Sequence, residues 1–327
     1  MMFFIFSSTA LIGFLLGIII LFWLRRAALE YKFLIPNGIP FVGGIAIGGA
    51  FLLTCLFVLP SNISDQIKGF FCASFIILIM GIIDDFRELS IVAKLLIQAI
   101  ATFLLIIFGI STQIVYIGNV ANIIITFIWI LGITNAFNHL DIVDGLAITT
   151  AVTISFAFFI ISFLNGDIKA ATLFLALAGA GLSFLIYNLP PAKVYMGNAG
   201  SHFLGFVLAS AALLISFAPL ERKVALFSPL VILWLPIFDT LFLVLMRLSK
   251  KKLPFNKSND HLVLRLLAIG FSKKKALSIL FALGLFFACS GVLLSQVSNW
   301  LGMIIFTITV LVSLYVSYRM GRVEISG

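Results

Sequence analysis

Charged residues make up only 10% of this 327-residue chain, where a soluble domain carries roughly a quarter. An apolar excess of that size excludes an ordinary soluble globule, which has no interior large enough to hide it. Cysteine is nearly absent, and Cys55, Cys72 and Cys289 fall inside apolar runs with no paired spacing and no histidine companion. They read as packing residues, which excludes a disulfide scaffold or a thiolate metal centre. No soluble domain interrupts the apolar runs, because the longest polar connection, Ser249 to Lys275, is only about 27 residues long. No internal repeat is evident either, so the inverted-repeat pointer to a secondary transporter is missing.

What the chain has in quantity is hydrocarbon. Hydrophobic residues are 62% of it and 35 residues are Phe. The apolar runs are roughly 17 to 24 residues long, close to the length a helix needs to cross a bilayer. Helices satisfy their own backbone in lipid, so the expectation is an all-α polytopic integral membrane bundle of about eleven transmembrane helices. They are placed near 3 to 24, 41 to 60, 67 to 83, 93 to 109, 120 to 136, 145 to 164, 169 to 187, 200 to 218, 224 to 247, 276 to 295 and 299 to 318. Together they form one transmembrane domain over 1–327. The first run is followed directly by Arg25 and Arg26, with no basic stretch before it and no small-residue cleavage site after it, so it reads as a retained anchor.

Orientation follows from the basic residues. Of the 21 Lys and Arg, all but Lys68, Lys169, Arg222 and Lys223 fall in alternate connections and the C-terminal tail. By the positive-inside rule those connections are cytoplasmic, which puts the N-terminus outside and the C-terminus inside. Membrane orientation and attraction to anionic headgroups explain the net charge of +9, so no nucleic-acid partner is called for. The long polar loops then lie on one face, near 84–94, 135–145, 188–202 and 248–275, and that face is where chemistry is expected.

Four groups of residues there are candidates. Asp84 and Asp85 sit at the C-terminal end of a helix, where mutual repulsion and the helix dipole both disfavour them unless Mg²⁺ or a nearby lysine offsets the charge. The alternative is a solvated helix end. Lys94 and Gln98, one turn apart, could pair with those acids or hold a phosphate. Asn135, Asn138, Asp141 and Asp144 recur every third position, and polar groups at membrane depth are costly unless they line a cavity or bind something. Asp144 before Gly145 could equally cap the next helix, and His139 reads as an interfacial residue. Lys193 and the glycines of Met196-Gly197-Asn198-Ala199-Gly200-Ser201 open a helix, where free backbone N–H groups suit an anion, or else form a plain turn. In the last loop His261 and Arg265 lie one turn apart and could grip a diphosphate, or belong to an amphipathic interfacial helix. Asp239 reads as an intramembrane carboxylate bonded to a neighbouring helix. Acids for a divalent metal and donors for phosphate suit phosphoryl transfer between a soluble phosphorylated substrate and a lipid.

In order and spacing, the segments Gly81–Asp85, Lys94–Gln98, Asn135–Ala147, Lys193–Phe206, Pro236–Thr240 and Asp260–Leu262 resemble those of the polyprenyl-phosphate N-acetylhexosamine-1-phosphate transferases. The resemblance spans about residues 40 to 270. It leans toward the bacterial branch that starts wall-polymer or O-antigen lipid carriers rather than the pentapeptide-carrying branch. It implies a plasma-membrane enzyme, active site toward the cytoplasm, in which undecaprenyl phosphate attacks a UDP-N-acetylhexosamine with Mg²⁺ and releases UMP. Asp84 and Asp85 would be the paired catalytic acids, with His261 also at the chemistry. Lys94, Asn135, Asn138, Asp141, Lys193, Gly197 and Arg265 would bind substrate, and Asp144 and Asn198 would face the metal.

Three departures stand out. Asn198 occupies a position where the family usually has Asp, Val263 and Leu264 follow His261 where further histidines are usual, and Ile35–Pro40 lacks the usual basic residues. A non-catalytic relative that binds lipid or nucleotide is therefore the alternative. An ion-coupled transporter would explain Asp239 but not the gathering of most other acids at one face. Whether the bundle forms a homodimer is left open by the sequence.

Overall fold

The computed structural model describes residues 2–35, 38–60, 62–217, 221–251 and 260–323, and among them every regular element is helical. Pro36 and Asn37, and Lys252 and Lys257 among the basic residues counted above, lie outside the described residues. The chain divides into two compact units, Met1–Ser216 and Phe217–Gly327.

The first unit contains α1 (Met2–Tyr31), α2 (Gly43–Val58), α3 (Asp65–Phe86), α4 (Ile91–Ile107), α5 (Gly118–Leu140), α6 (Leu146–Leu164), α7 (Ile168–Asn188) and α8 (Gly197–Ala212). Every residue of α8 from Ala199 to Ala212 is buried, which makes it the unit's central rod. Its sequence explains how: Gly, Ala and Ser dominate, and in lipid small residues allow backbones to come close where no hydrophobic force drives helices together. The same device joins α1 to α7. A Cβ at Gly17 would overlap Ser183, and one at Gly179 would overlap the carbonyl of Ala10.

The second unit contains a 3₁₀ turn (Lys223–Phe227) followed by α9 (Ser228–Ile232), α10 (Trp234–Ser249), α11 (Leu262–Ala268), α12 (Lys273–Gln296) and α13 (Asn299–Gly321). The apolar run near 224 to 247 is not one straight helix. It bends by 73° between Ile232 and Trp234. The cause is Pro236, which has no N–H to give to the carbonyl of Ile232 four residues back. Trp234 Nε1 donates to Ser313 Oγ at 2.8 Å, tying α10 to α13.

Each of the eleven expected apolar segments contains helix. Seven helices are long and apolar enough to cross a membrane, or eight if the bent pair counts as one span. That supports a polytopic helical membrane protein, while the count of eleven goes beyond it. The shortfall of three is one of length: α2, α4 and α8 have 16, 17 and 16 residues, and 16 residues of helix rise only about 24 Å against a hydrocarbon layer of about 30 Å. Outward faces are apolar, with Leu56, Val120 and Trp300 among the most exposed side chains, as lipid contact requires. All three cysteines are free thiols, but only Cys55 is buried. Cys72 and Cys289 are exposed, so packing does not account for them.

Candidate active site

In the first unit the helices alternate in direction, so the C-termini of α3, α5 and α7 and the N-termini of α2, α4, α6 and α8 share one end. That end holds the polar residues. Its organiser is Asp85, in the last turn of α3. Its Oδ1 accepts the backbone N–H of Asn198 at 2.7 Å and its Oδ2 that of Ala199 at 3.0 Å. A carboxylate thus covers the first turn of α8, where unpaired N–H groups and the helix dipole favour negative charge. The anion expected at that glycine-rich helix start is therefore supplied by the chain itself.

Glycines make the approach possible. A Cβ at Gly81, one turn before Asp85, would fall on the backbone of Ala199. Gly197 has φ +72°, and a Cβ there would strike the Asp85 carboxylate. Beside them the N–H groups of Gly43 and Gly44 donate to the carbonyls of Tyr195 at 3.0 Å and Met196 at 2.8 Å, docking α2 on the same loop.

Asp84 faces the other way and is fully enclosed. Its Oδ1 accepts from the N–H of Leu89 at 2.7 Å, and its Oδ2 lies 2.7 Å from Lys94 Nζ. Neither acid is therefore a freely solvated helix end. One is balanced by an ammonium and the other by two amides. Gln98, one turn on from Lys94, accepts Asn135 Nδ2 at 2.8 Å, and its own buried Nε2 has no partner among the described residues. Asn138 Nδ2 donates to Asn198 Oδ1 at 3.1 Å and to Ser201 Oγ at 3.0 Å, linking α5 to α8.

Asp141 and Asp144 occupy the turn between α5 and α6. Burial of the Asp141 carboxyl, and after it the charges of Asp85 and Asp144, push its pKa up to about 7, although the residue as a whole keeps partial exposure. Asp144 does not cap α6. The cap is Gly145, at φ +83° and with no side-chain bond, and Asp144 Oδ2 instead accepts the N–H of Ala192 at 3.3 Å. Lys193 is exposed, its backbone N–H donating to the Tyr187 carbonyl at 2.7 Å.

Asn188 has no counterpart in the sequence reading. Its Oδ1 accepts from Gly145 N–H at 2.8 Å and its Nδ2 donates to Val194 O at 3.0 Å, so one amide clamps both loops. The signal was an Asn in the last turn of a helix ahead of Pro190-Pro191, where side-chain amides often bond nearby backbone. His202 was likewise passed over. It is buried in α8, and its Nδ1 has no hydrogen-bond partner among the described residues.

The remaining predicted residues lie in the second unit. His261 Nδ1 is 2.7 Å from Asp239 Oδ2. Arg265 is buried and committed elsewhere: its Nη2 donates to Asp260 Oδ1 at 2.7 Å, and its Nη1 to the carbonyls of Met320 and Val323 at 2.7 and 2.8 Å. Although one turn apart in sequence, the two side chains engage different partners, and the guanidinium holds α11 to the end of α13.

Among the described residues no three His, Cys, Asp or Glu converge as a ready metal cluster. The donors at the polar end still fit Mg²⁺. Asp144 supplies a carboxylate whose charge repels that of Asp141, Asn198 adds an amide oxygen, and Mg²⁺ is usually held by one or two carboxylates plus substrate phosphate and water.

These features define a helical integral membrane protein with a carboxylate-rich, cation-balanced cluster at one end of a packed bundle. The glycosyl transferase family 4 model matches residues 67–216, the segment running from α3 to the end of the first unit. A Bacillus subtilis protein described as a probable undecaprenyl-phosphate N-acetylglucosaminyl 1-phosphate transferase is 32% identical over 286 residues, covering 83% of this chain and 78% of its own. A decaprenyl-phosphate N-acetylglucosaminephosphotransferase of Mycobacterium tuberculosis is 29% identical over 74% of this chain and 69% of its own. A phospho-N-acetylmuramoyl-pentapeptide-transferase of Streptococcus thermophilus is 36% identical, but over only 41% of this chain and 46% of its own. The chain belongs to the polyprenyl-phosphate hexosamine-1-phosphate transferase family.

Two predictions follow from the charges. Removing one partner of a buried ion pair leaves the other uncompensated, at a cost of about 3 kcal/mol or more. Lys94→Met and Asp84→Asn should each lower unfolding stability in detergent, and the double variant should lose less than the sum of the two. Additive losses would show that the pair is not coupled.

The second concerns pH. A carboxyl whose pKa rises from 3.8 to about 7 on folding keeps its proton in the folded state across that interval while the unfolded chain releases it. The stability it contributes is complete below pH 4 and is lost as pH rises to 7. In metal-free buffer, Asp141→Asn should therefore flatten the fall in melting temperature between pH 4.5 and 7. Parallel curves for variant and wild type would show that Asp141 ionises like an exposed acid.

Proposed function

We propose that this protein transfers an N-acetylhexosamine-1-phosphate from a UDP-N-acetylhexosamine to undecaprenyl phosphate. A lipid phosphate oxygen attacks the β-phosphorus of the donor, the bond to UMP breaks, and the products are lipid diphosphate sugar and UMP. The reading is carried by the 32% identity, over most of both chains, to a relative described as acting on undecaprenyl phosphate. The acid and amide cluster at one bundle end adds a chemical reason, since phosphoryl transfer asks chiefly for positioning and charge neutralisation.

In this reading the chain is an inner-membrane enzyme of a bacterium with the N-terminus outside. Its apolar segments cross eleven times, the shorter helices relying on local thinning of the bilayer, and the polar end of the first unit faces the cytoplasm. Asp84 and Asp85 act by holding Lys94 and the start of α8 in place. Lys94, with Asn135 behind it through Gln98, meets the donor's phosphates, and Gly197 gives them access to backbone. Asn138 and Asp141 line the nucleotide side, Asp141 being able to take up or release a proton near neutral pH. Exposed Lys193 draws the anionic donor to the loop. Asp144 and Asn198 would hold Mg²⁺, which supplies neutralisation of diphosphate charge when bound. In the second unit His261 offers its ring to a phosphate, whereas Arg265 supports that loop from behind.

The direct test is purified protein with undecaprenyl phosphate, Mg²⁺ and a panel of UDP-sugars, scored for UMP and lipid-linked sugar. One UDP-N-acetylhexosamine should release UMP only when the lipid is present. No UMP with any donor would remove the reading. Asn198 supplies a neutral oxygen where an acid would bind a hard cation more tightly. Asn198→Asp should shift the Mg²⁺ dependence of both turnover and thermal stabilisation to lower concentration by about tenfold, or about 1.4 kcal/mol. Superimposed titrations would place residue 198 outside the metal's shell.

A further inference from the structure

Asp239 and His261 form a buried pair in the second unit. Asp239 lies in α10, three residues after the bend-forming Pro236, with 3% of its surface exposed, and His261 precedes α11 with 6% exposed. Both carboxylate oxygens are engaged by consecutive residues: Oδ2 lies 2.7 Å from His261 Nδ1, and Oδ1 accepts the backbone N–H of Leu262 at 2.9 Å. A carboxylate that accepts one backbone N–H is set up as an acceptor, so the ring nitrogen facing its other oxygen is the donor. The contact therefore specifies a proton on Nδ1.

The residues on either side of the ring are held as firmly. Asp260 Oδ1 lies 2.6 Å from Lys250 Nζ and 2.7 Å from Arg265 Nη2. The backbone of Leu262 is fixed by Asp239 itself. With Asp260 and Leu262 both pinned, the imidazole has little freedom to turn, and among the described residues Nδ1 is the ring atom that bonds to protein. An apolar membrane helix rarely carries a carboxylate without a use for it. Bonding one imidazole nitrogen to a carboxylate is a recurrent way to fix the tautomer and raise the basicity of the other.

We infer that Asp239 is a positioning residue that locks His261 as the Nδ1–H tautomer and presents Nε2, with its lone pair, as the ring's working atom. The inference rests on the proposed function for what Nε2 meets, a phosphate-bearing substrate. The pair itself does not depend on that reading. Neutral Nε2 can take up one proton, and the imidazolium so formed is balanced by the Asp239 carboxylate and can donate Nε2–H to a phosphate oxygen.

The test is ¹⁵N NMR of protein labelled at histidine, in detergent or nanodiscs. The chain has three histidines, so the His261 signals are found by their loss in His261→Gln. In the wild type at a pH where the ring is neutral, Nδ1 should carry the proton and Nε2 should be unprotonated. In Asp239→Asn the amide can still accept from Leu262 while turning its NH₂ toward Nδ1, so the proton should move to Nε2. Turnover should then fall at least tenfold through kcat, with KM for the UDP-sugar changing less than about threefold. A wild-type ring protonated on Nε2 overturns the inference without any variant, even if Asp239→Asn folds poorly. So does an unchanged tautomer with unchanged kcat. If the tautomer moves as expected but the wild type releases no UMP with any donor, the pair stands and the proposed reaction fails.

Discussion

The carboxylate of Asp85 bridging to two amides in the first turn of α8 is the contact on which the polar end of the first unit depends. It joins the end of α3 to the start of the most buried helix, and it does so at very short range because Gly81 and Gly197 leave room for it. From that point outward the other polar contacts follow. Asn198, placed by its own N–H on Asp85, receives Asn138 from α5. The loop ahead of α8 receives the N-terminus of α2 through Tyr195 and Met196. An acid beside an uncapped helix start is a local solution to two costs at once, an unpaired charge and unpaired amides, both large in a medium without water.

The same economy recurs through the chain. Asp84 meets Lys94, Asp260 meets both Lys250 and Arg265, and Asp239 meets His261 and a backbone amide. Asp141 is different, being held near its acidic neighbours Asp85 and Asp144 with its pKa raised. Acids gathered this closely make added positive charge favourable beside them.

Much of this was legible in the sequence, and for identifiable reasons. Apolar runs long enough to matter in lipid marked the long helices, though not the short α11, since backbone satisfaction leaves no other regular structure there. The acids and amides at 84, 85, 135, 138, 141 and 144 stood out because such residues are expensive at membrane depth. What could not be read was partnership. Sequence spacing set His261 and Arg265 on one helical face, yet His261 stands ahead of α11 in extended backbone and Arg265 turns to the end of α13, fifty residues on. The glycine-rich start of α8 looked open to an external anion, because nothing in its spacing tells that Asp85, more than a hundred residues earlier, fills it. Gly145, rather than Asp144, caps α6 because its positive φ suits glycine, which freed Asp144 for Ala192. The bend at Ile232 was implicit in Pro236, but a hydropathy run registers a proline only weakly.

Amide hydrogen exchange tests the central role of Asp85 most directly. In the wild type the N–H groups of Asn198 and Ala199 should exchange slowly, protected by the carboxylate. In Asp85→Ala, which removes the acceptor without adding bulk, they should exchange at least about tenfold faster, a factor that corresponds to roughly 1.4 kcal/mol of lost protection, while amides within α1 and α7 keep their rates. Equal protection of those two amides in both proteins would contradict the account, since α8 would then be held in place by something other than Asp85.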